Sequence, residues 1–267
     1  MKLGLALGNG AAKGYSHIPI IKHLEKEKIK LDAVSGSSIG ALIGAYYCLH
    51  GNLDGFVKSL KHLSKVEFLN LIDLANPKHS VIKGKKIYSF FHKNYFGNKT
   101  FKDLKKKLFI ASTNFFKEET VYFDKGKIID AVMASVSIPG VFPPYRIKNQ
   151  YFIDGGMLDP IPSEILFENG CEKVIGINLN KQTKYKEAKR NALNVLMATY
   201  GMMLSRISED CKASNIFMLE PTFTLGFGDS LKFYHWRENY SPGVREIHQR
   251  MEELRKWLHT DVDPKFW

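Results

Sequence analysis

The sequence predicts an α/β fold in which a central, mostly parallel sheet lies between flanking helices. Two observations carry this expectation. Short apolar runs alternate with helix-period segments, giving strand–loop–helix–strand–turn–helix within the first fifty residues. The 267 residues are 44% apolar and 25% charged, the balance of a globular chain and not of a disordered, collagenous or coiled-coil one. That length suits a single domain over residues 1–267.

Leu3–Leu7 is a short apolar run closed by Gly8, the pattern of a buried strand. Gly8–Gly14 is a glycine-bearing loop. Ile18, Ile21, Leu24 and Ile29 recur at helical spacing among Lys and Glu, so an amphipathic helix is expected over His17–Lys28. Leu31–Ser35 is a second strand, and Ser38–His50 an apolar helix closed by Gly51. Leu53, Phe56, Leu60 and Leu63 give a helical period over 53–75, ended by Pro77. Strands follow at Leu108–Ser112 and Thr120–Phe123, then a helix at Ile128–Ser135 that stops before Pro139. Tyr145–Ile153 reads as a hairpin turning at Lys148-Asn149. Lys173–Asn178 and Ile216–Leu219 are further strands. Asn191–Ser208 is a Met-rich helix whose Met197, Met202 and Met203 are expected to fill core, and Val244–Leu258 is a C-terminal helix.

Three segments offer chemistry. Gly36-Ser37-Ser38-Ile39-Gly40 fits G-x-S-x-G between a strand and a helix, where a sharp turn projects the serine. The helix N-terminus there favours negative charge developing at Ser38; a plain helix cap is the competing reading. Gly8-Asn9-Gly10-Ala11-Ala12-Lys13-Gly14 exposes backbone N–H groups suited to a phosphate or an oxyanion. Its G-x-G-x-x-x-G spacing departs from the dinucleotide fingerprint, no acid ends the second strand, and G-K-[ST] is absent. A ligand-free tight turn stays open. Two small-residue loops ending adjacent strands suit acyl transfer, one carrying the nucleophile and the other facing the oxyanion. Asp154-Gly155-Gly156 follows Tyr151-Phe152-Ile153 and is either an ordinary turn or a carboxylate fixed beside a cleft. A free Asp, with a pKa of about 3.9, is a poor base, and burial would raise it.

Taken in order, Gly8–Gly14 with Lys13, Gly36–Gly40 and Asp154-Gly155-Gly156 resemble the three signature elements of patatin-like phospholipases. The resemblance is closest to the bacterial branch related to neuropathy target esterase. Ala134–Pro144 looks like a further family segment, and the likeness spans about Lys2 to Asn178. It implies a three-layer patatin-like sandwich and hydrolysis of a fatty acyl ester of a phospholipid or lysophospholipid. It implies Ser38 as nucleophile and Asp154 as base, without histidine. It implies an oxyanion hole from the amides of Gly10 and Ala11, with Asn9 beside them. Gly8, Lys13, Gly14, Gly36, Gly40, Gly155 and Gly156 occupy the remaining motif positions, and no metal or cofactor is required. The usual three consecutive glycines are replaced by Asn9-Gly10-Ala11, so a positive φ at Ala11 would be strained. Two rivals remain: a Ser-Asp-His esterase using His235, His248 or His259, and a non-catalytic binder of lipid or polyanion.

Lys and Arg (39) exceed Asp and Glu (27) by 12. Lys78–Lys107 holds ten lysines and one acid, interleaved with Tyr88, Phe90, Phe91, Tyr95, Phe96 and Phe101. Lysines attract anionic headgroups and aromatic rings suit the lipid boundary, so this segment is a candidate docking surface for an anionic membrane; nucleic acid is not the expected partner. A solvated basic face over a small apolar core is the alternative. The three cysteines (Cys48, Cys171, Cys211) form no CxxC, and the nine histidines show no metal spacing; His17 is expected at the surface of a helix start. The N-terminus is too short in apolar residues for a signal peptide, and Ile39–Leu49 too short to span a bilayer. A cytoplasmic protein, at most peripheral on the inner membrane face, is therefore expected.

Overall fold

The strands are β1 (Leu3–Leu7), β2 (Ala33–Ser37), β3 (Lys107–Asn114), β4 (Glu119–Phe123), β5 (Tyr145–Ile147), β6 (Gln150–Asp154), β7 (Lys173–Ile177), β8 (Thr183–Lys186), β9 (Ile216–Leu219) and β10 (Phe223–Gly226). The α-helices are α1 (His17–Lys26), α2 (Ile39–His50), α3 (Asp54–His62), α4 (Lys65–Asn70), α5 (Lys85–Phe91), α6 (Ile128–Ser135), α7 (Glu164–Glu168), α8 (Ala192–Glu209) and α9 (Trp236–Leu258). The structure, a computed structural model, describes residues 1–74, 82–181, 183–186, 192–209, 214–226 and 231–261.

The main sheet runs β5-β6-β3-β2-β1-β7-β9, with β4 also paired to β3. Strands β3, β2, β1, β7 and β9 are mutually parallel, and β4, β5 and β6 add antiparallel pairings. Strands β1, β2 and β7 are buried at every residue, as a sheet covered on both faces requires. One face packs against α1, α2, α6 and α9; the other carries α7, whose Ile165, Leu166 and Phe167 meet Ala6, Ala33, Phe109 and Val174. This is the predicted central sheet between helical layers. Strand β9 extends the same sheet, and β8 pairs with β10 in a separate parallel ribbon.

Several elements depart from the sequence expectation. The helical stretch over 53–75 is two helices, because Ser64 and Glu67 form a reciprocal capping box that starts α4 afresh. Pro77 lies outside the described residues. Helix α9 begins eight residues earlier than expected and runs through Pro242. Ser16 explains the tolerance: its hydroxyl donates to the Asn239 carbonyl (2.6 Å) and accepts the Gly243 amide (3.1 Å). One side chain thus bridges the gap that would otherwise hold a backbone bond. Helix α7 and strands β8 and β10 were not anticipated. On α8, Met202 and Met203 are exposed and not core, and the Met197 side chain lies outside the described residues.

The lysine-rich segment is described in part. Its N-terminal residues, Lys78 included, lie outside the described residues. From Lys85 it forms α5 and a π-turn over His92–Phe96, and the Asp73 carboxylate accepts the amides of Gly84, Lys85 and Lys86 at the helix start. Tyr95 and Phe96 are buried, and Tyr88, Phe90, Phe91 and Phe101 pack against the main core. Two rings thus serve the interior, four stay half-buried, and most of the lysines lie outside. Among the described residues, no helix is long and apolar enough to cross a membrane.

Candidate active site

Strand β3 brings the two expected reacting residues together. Ser37, at the end of β2, pairs with Ala111; the next residue of β3, Ser112, pairs with Asp154 at the end of β6. The chain leaves β2 and β6 at neighbouring points on one template. Ser38 then turns at φ 56° and ψ −121°, a sparsely populated conformation for a residue with a side chain. Its amide donates to Ser135 Oγ (2.8 Å), and the Ser135 hydroxyl donates to the Ala111 carbonyl (2.6 Å). The turn is tight enough to need both motif glycines: a Cβ on Gly36 would strike the Gly40 backbone, and one on Gly40 the Leu7 carbonyl.

The Ser38 hydroxyl donates to Asp154 Oδ2 at 2.5 Å, and the Gly156 amide donates to Oδ1 at 2.8 Å. Gly155 sits against the Ala111 carbonyl, and Gly156 leaves room for the Asn9 side-chain amide. Asp154 is fully buried. Burial pushes its carboxyl up to about 6, against the hydrogen bonds of Ser38 and Gly156 and the nearby Tyr200, which favour the ionised form.

The first glycine loop becomes a 3₁₀ turn over Ala11–Ser16. Among the described residues, the amides of Gly10 and Ala11 meet no acceptor. Ala11 takes φ 49°, the strained value anticipated for this departure from a glycine. Asn9 differs from expectation: its amide donates to the Pro160 carbonyl (3.0 Å), so only its side chain is left to face the site. Asn180, beyond β7, braces the loop. Its Nδ2 donates to Asn9 Oδ1 (2.7 Å), and its Oδ1 accepts from Lys13 Nζ (3.1 Å). Lys13 is buried, and burial lowers its ammonium to about 8. Gly14 packs on Ile39 at the start of α2. His17 is buried and not superficial, with Nε2 bonded to the Gly8 carbonyl at 2.8 Å; burial lowers its imidazole to about 4.

A family model described as patatin-like phospholipase matches residues 5–167. The chain belongs to that family. An NTE family protein of Mycobacterium tuberculosis is 30% identical over 179 residues, covering 67% of this chain and 49% of the relative. Neuropathy target esterase of Drosophila melanogaster is 30% identical over 185 residues, covering 67% of this chain and 13% of that protein. The chain thus spans about half the length of the mycobacterial relative. Among solved structures, VipD from Legionella pneumophila superposes with a TM-score of 0.50 at 15% identity, covering 94% of this chain and 66% of that one.

Within this patatin-like site no described histidine bonds to Ser38 or Asp154. His235 pairs with Glu238 (2.9 Å), the His248 ring lies 4.8 Å from that of His23, and His259 caps α9. Sequence reasoning missed Ser135, Asn180 and Tyr200 as contributors. Ser135 lay inside the family-like segment 134–144; the other two carry no local motif.

A buried carboxylate raised above its unfolded value costs stability once the pH exceeds that unfolded value. Replacing Asp154 with Asn keeps an acceptor for Gly156 and removes the buried charge. Asp154→Asn should therefore melt above the wild type at pH 8, with the gap narrowing as pH falls from about 6 to about 4. Calorimetry across that range checks it, and a wild type more stable than the variant at pH 8 contradicts it.

Proposed function

We propose that this patatin-like chain is a serine hydrolase of carboxylic esters, acting on a fatty acyl ester of a phospholipid or lysophospholipid. The observation that carries the reading is the 2.5 Å hydrogen bond from Ser38 Oγ to Asp154 Oδ2 with no imidazole between them. Ionised Asp154 takes the Ser38 proton as Oγ attacks the acyl carbon. The unpaired amides of Gly10 and Ala11 receive the oxyanion of the tetrahedral intermediate. The alcohol leaves with the proton from Asp154, giving an acyl-serine. Water then attacks with Asp154 again as base, and Ser38 recovers its proton as the fatty acid departs. Lipid as substrate class draws on the family and on relatives named as neuropathy target esterases and lysophospholipases. Membrane docking would rest on the charge of exposed Lys83, Lys85, Lys86, Lys93, Lys99, Lys102 and Lys105, with half-buried Tyr88, Phe90, Phe91 and Phe101 among them.

A fluorophosphonate probe, read by intact mass and peptide mapping, tests the chemistry. One adduct is expected on wild type, at Ser38, with none on Ser38→Ala and labelling slowed about 100-fold or more in Asp154→Asn. No wild-type adduct, or one on another serine, overturns the reading. The same assay has a pH signature. The base works only when ionised and is raised to about 6, so labelling should fall about tenfold per pH unit below that point and level off above it. A limb near pH 4 contradicts a buried base. For docking, co-sedimentation should favour anionic over neutral vesicles and weaken with salt; equal, salt-insensitive partition removes the charge-driven surface.

A further inference from the structure

Tyr200 lies on α8, from the part of the chain beyond the family match. The helix sits over the loop that follows α6: Leu196 packs on Gly140, and the Tyr200 ring joins Ile82, Ile138 and Val141. The hydroxyl is buried and, among the described residues, meets no hydrogen-bond partner. It lies beside the Asp154 carboxylate and the Asn9 side chain, without a formed hydrogen bond to either. Burial and the neighbouring carboxylate push its phenol well above the ordinary value, so it remains a donor. Nearby groups already have partners: Asp154 Oδ2 has Ser38, Oδ1 has Gly156, and Asn9 Oδ1 has Asn180. A buried donor left over beside a reacting pair is the place where a bound molecule supplies the acceptor.

We propose that Tyr200 is a further catalytic residue, donating its hydrogen bond to the alcohol oxygen that leaves the acyl carbon. The assignment rests on the hydrolase reading above. When the tetrahedral intermediate collapses, the carbon–oxygen bond breaks and its electron pair passes to the alcohol oxygen. Asp154 returns to that oxygen the proton taken from Ser38. The leaving oxygen must therefore come within reach of Asp154, the carboxylate beside which the Tyr200 hydroxyl lies. In the reading above the oxyanion is received by the amides of Gly10 and Ala11. Tyr200 keeps its own proton and steadies the charge on the leaving oxygen until Asp154 protonates it. The ligand so recognised is an ester of an aliphatic alcohol, such as a glycerol hydroxyl, whose alkoxide is a poor leaving group. A p-nitrophenyl ester needs little such help.

The test compares Tyr200→Phe with wild type on two esters of one acyl chain, a p-nitrophenyl ester and a monoacylglycerol, by kcat/KM. Tyr200→Phe should lower the monoacylglycerol value at least tenfold more than the aryl value, the range of a lost donor at a developing charge. Leu196→Ala disturbs the packing of α8 without touching a polar group and should leave that ratio unchanged. Equal losses of Tyr200→Phe on both esters, an unchanged ratio, or the same ratio shift in Leu196→Ala overturns the assignment. The phenylalanine variant removes a hydroxyl without a protein partner, so its melting temperature should match wild type. A wild type that cleaves neither ester overturns the hydrolase reading and this assignment together. A wild type that cleaves both, with the ratio kept in Tyr200→Phe, overturns this assignment alone.

Discussion

Two consecutive residues of β3 hold the site in place. Ala111 pairs with Ser37 and Ser112 with Asp154, so one strand carries the end of β2 and the end of β6 at adjacent steps. The Ala111 carbonyl also anchors Ser135, which holds the Ser38 amide. Residues 116 positions apart in the chain are thereby brought to 2.5 Å by backbone register. A slip of one residue between β3 and β6 would turn Asp154 to the opposite face of the sheet. The buried Phe152 of β6 would move to the wrong side with it, so the core enforces the register the chemistry uses.

That placement has costs which the surrounding packing offsets. Ser38 sits in a conformation that costs about 1–3 kcal/mol, and Asp154 is fully buried, which disfavours its charge. Helix α2 supplies the counterweight, since Ile39–Leu49 is buried throughout. The glycines of G-x-S-x-G let α2 begin directly against β1 and β2; they serve packing as much as chemistry.

Legibility followed the range of the interactions involved. Strand β1, the serine turn and α2 were readable because each is decided by neighbours in the chain: a continuous apolar run, then glycines, then an apolar helix closed by Gly51. The 145–154 hairpin was readable for the same reason. For the lysine-aromatic segment composition does not say which way rings point: Tyr95 and Phe96, after α5, are buried, whereas Tyr88, Phe90, Phe91 and Phe101 are only partly so. Met202 and Met203 failed in the opposite sense, being apolar yet outside. Asn180 and Tyr200 could not be found from sequence, since each matters only through contacts with residues far upstream. The long α9 was hidden because Ser241-Pro242-Gly243 reads as a break until Ser16 is known to bridge it.

The same burial bears on the proposed pairing of the serine with a carboxylate in place of an imidazole. Burial favours the neutral form of any ionisable group. For an acid the neutral form is protonated, so desolvation increases proton affinity, and Asp154 rises to about 6. For an imidazole the neutral form is the free base, so desolvation lowers proton affinity. His17, equally buried at the end of the first glycine loop, falls to about 4. In a dry site the two side chains exchange their usual order as bases. Burial beneath the helical layers around β1, β2 and β3 thus favours proton uptake by the aspartate and disfavours it in the histidine, so under the proposed reading a serine bonded directly to Asp154 has its base beside it without an imidazole.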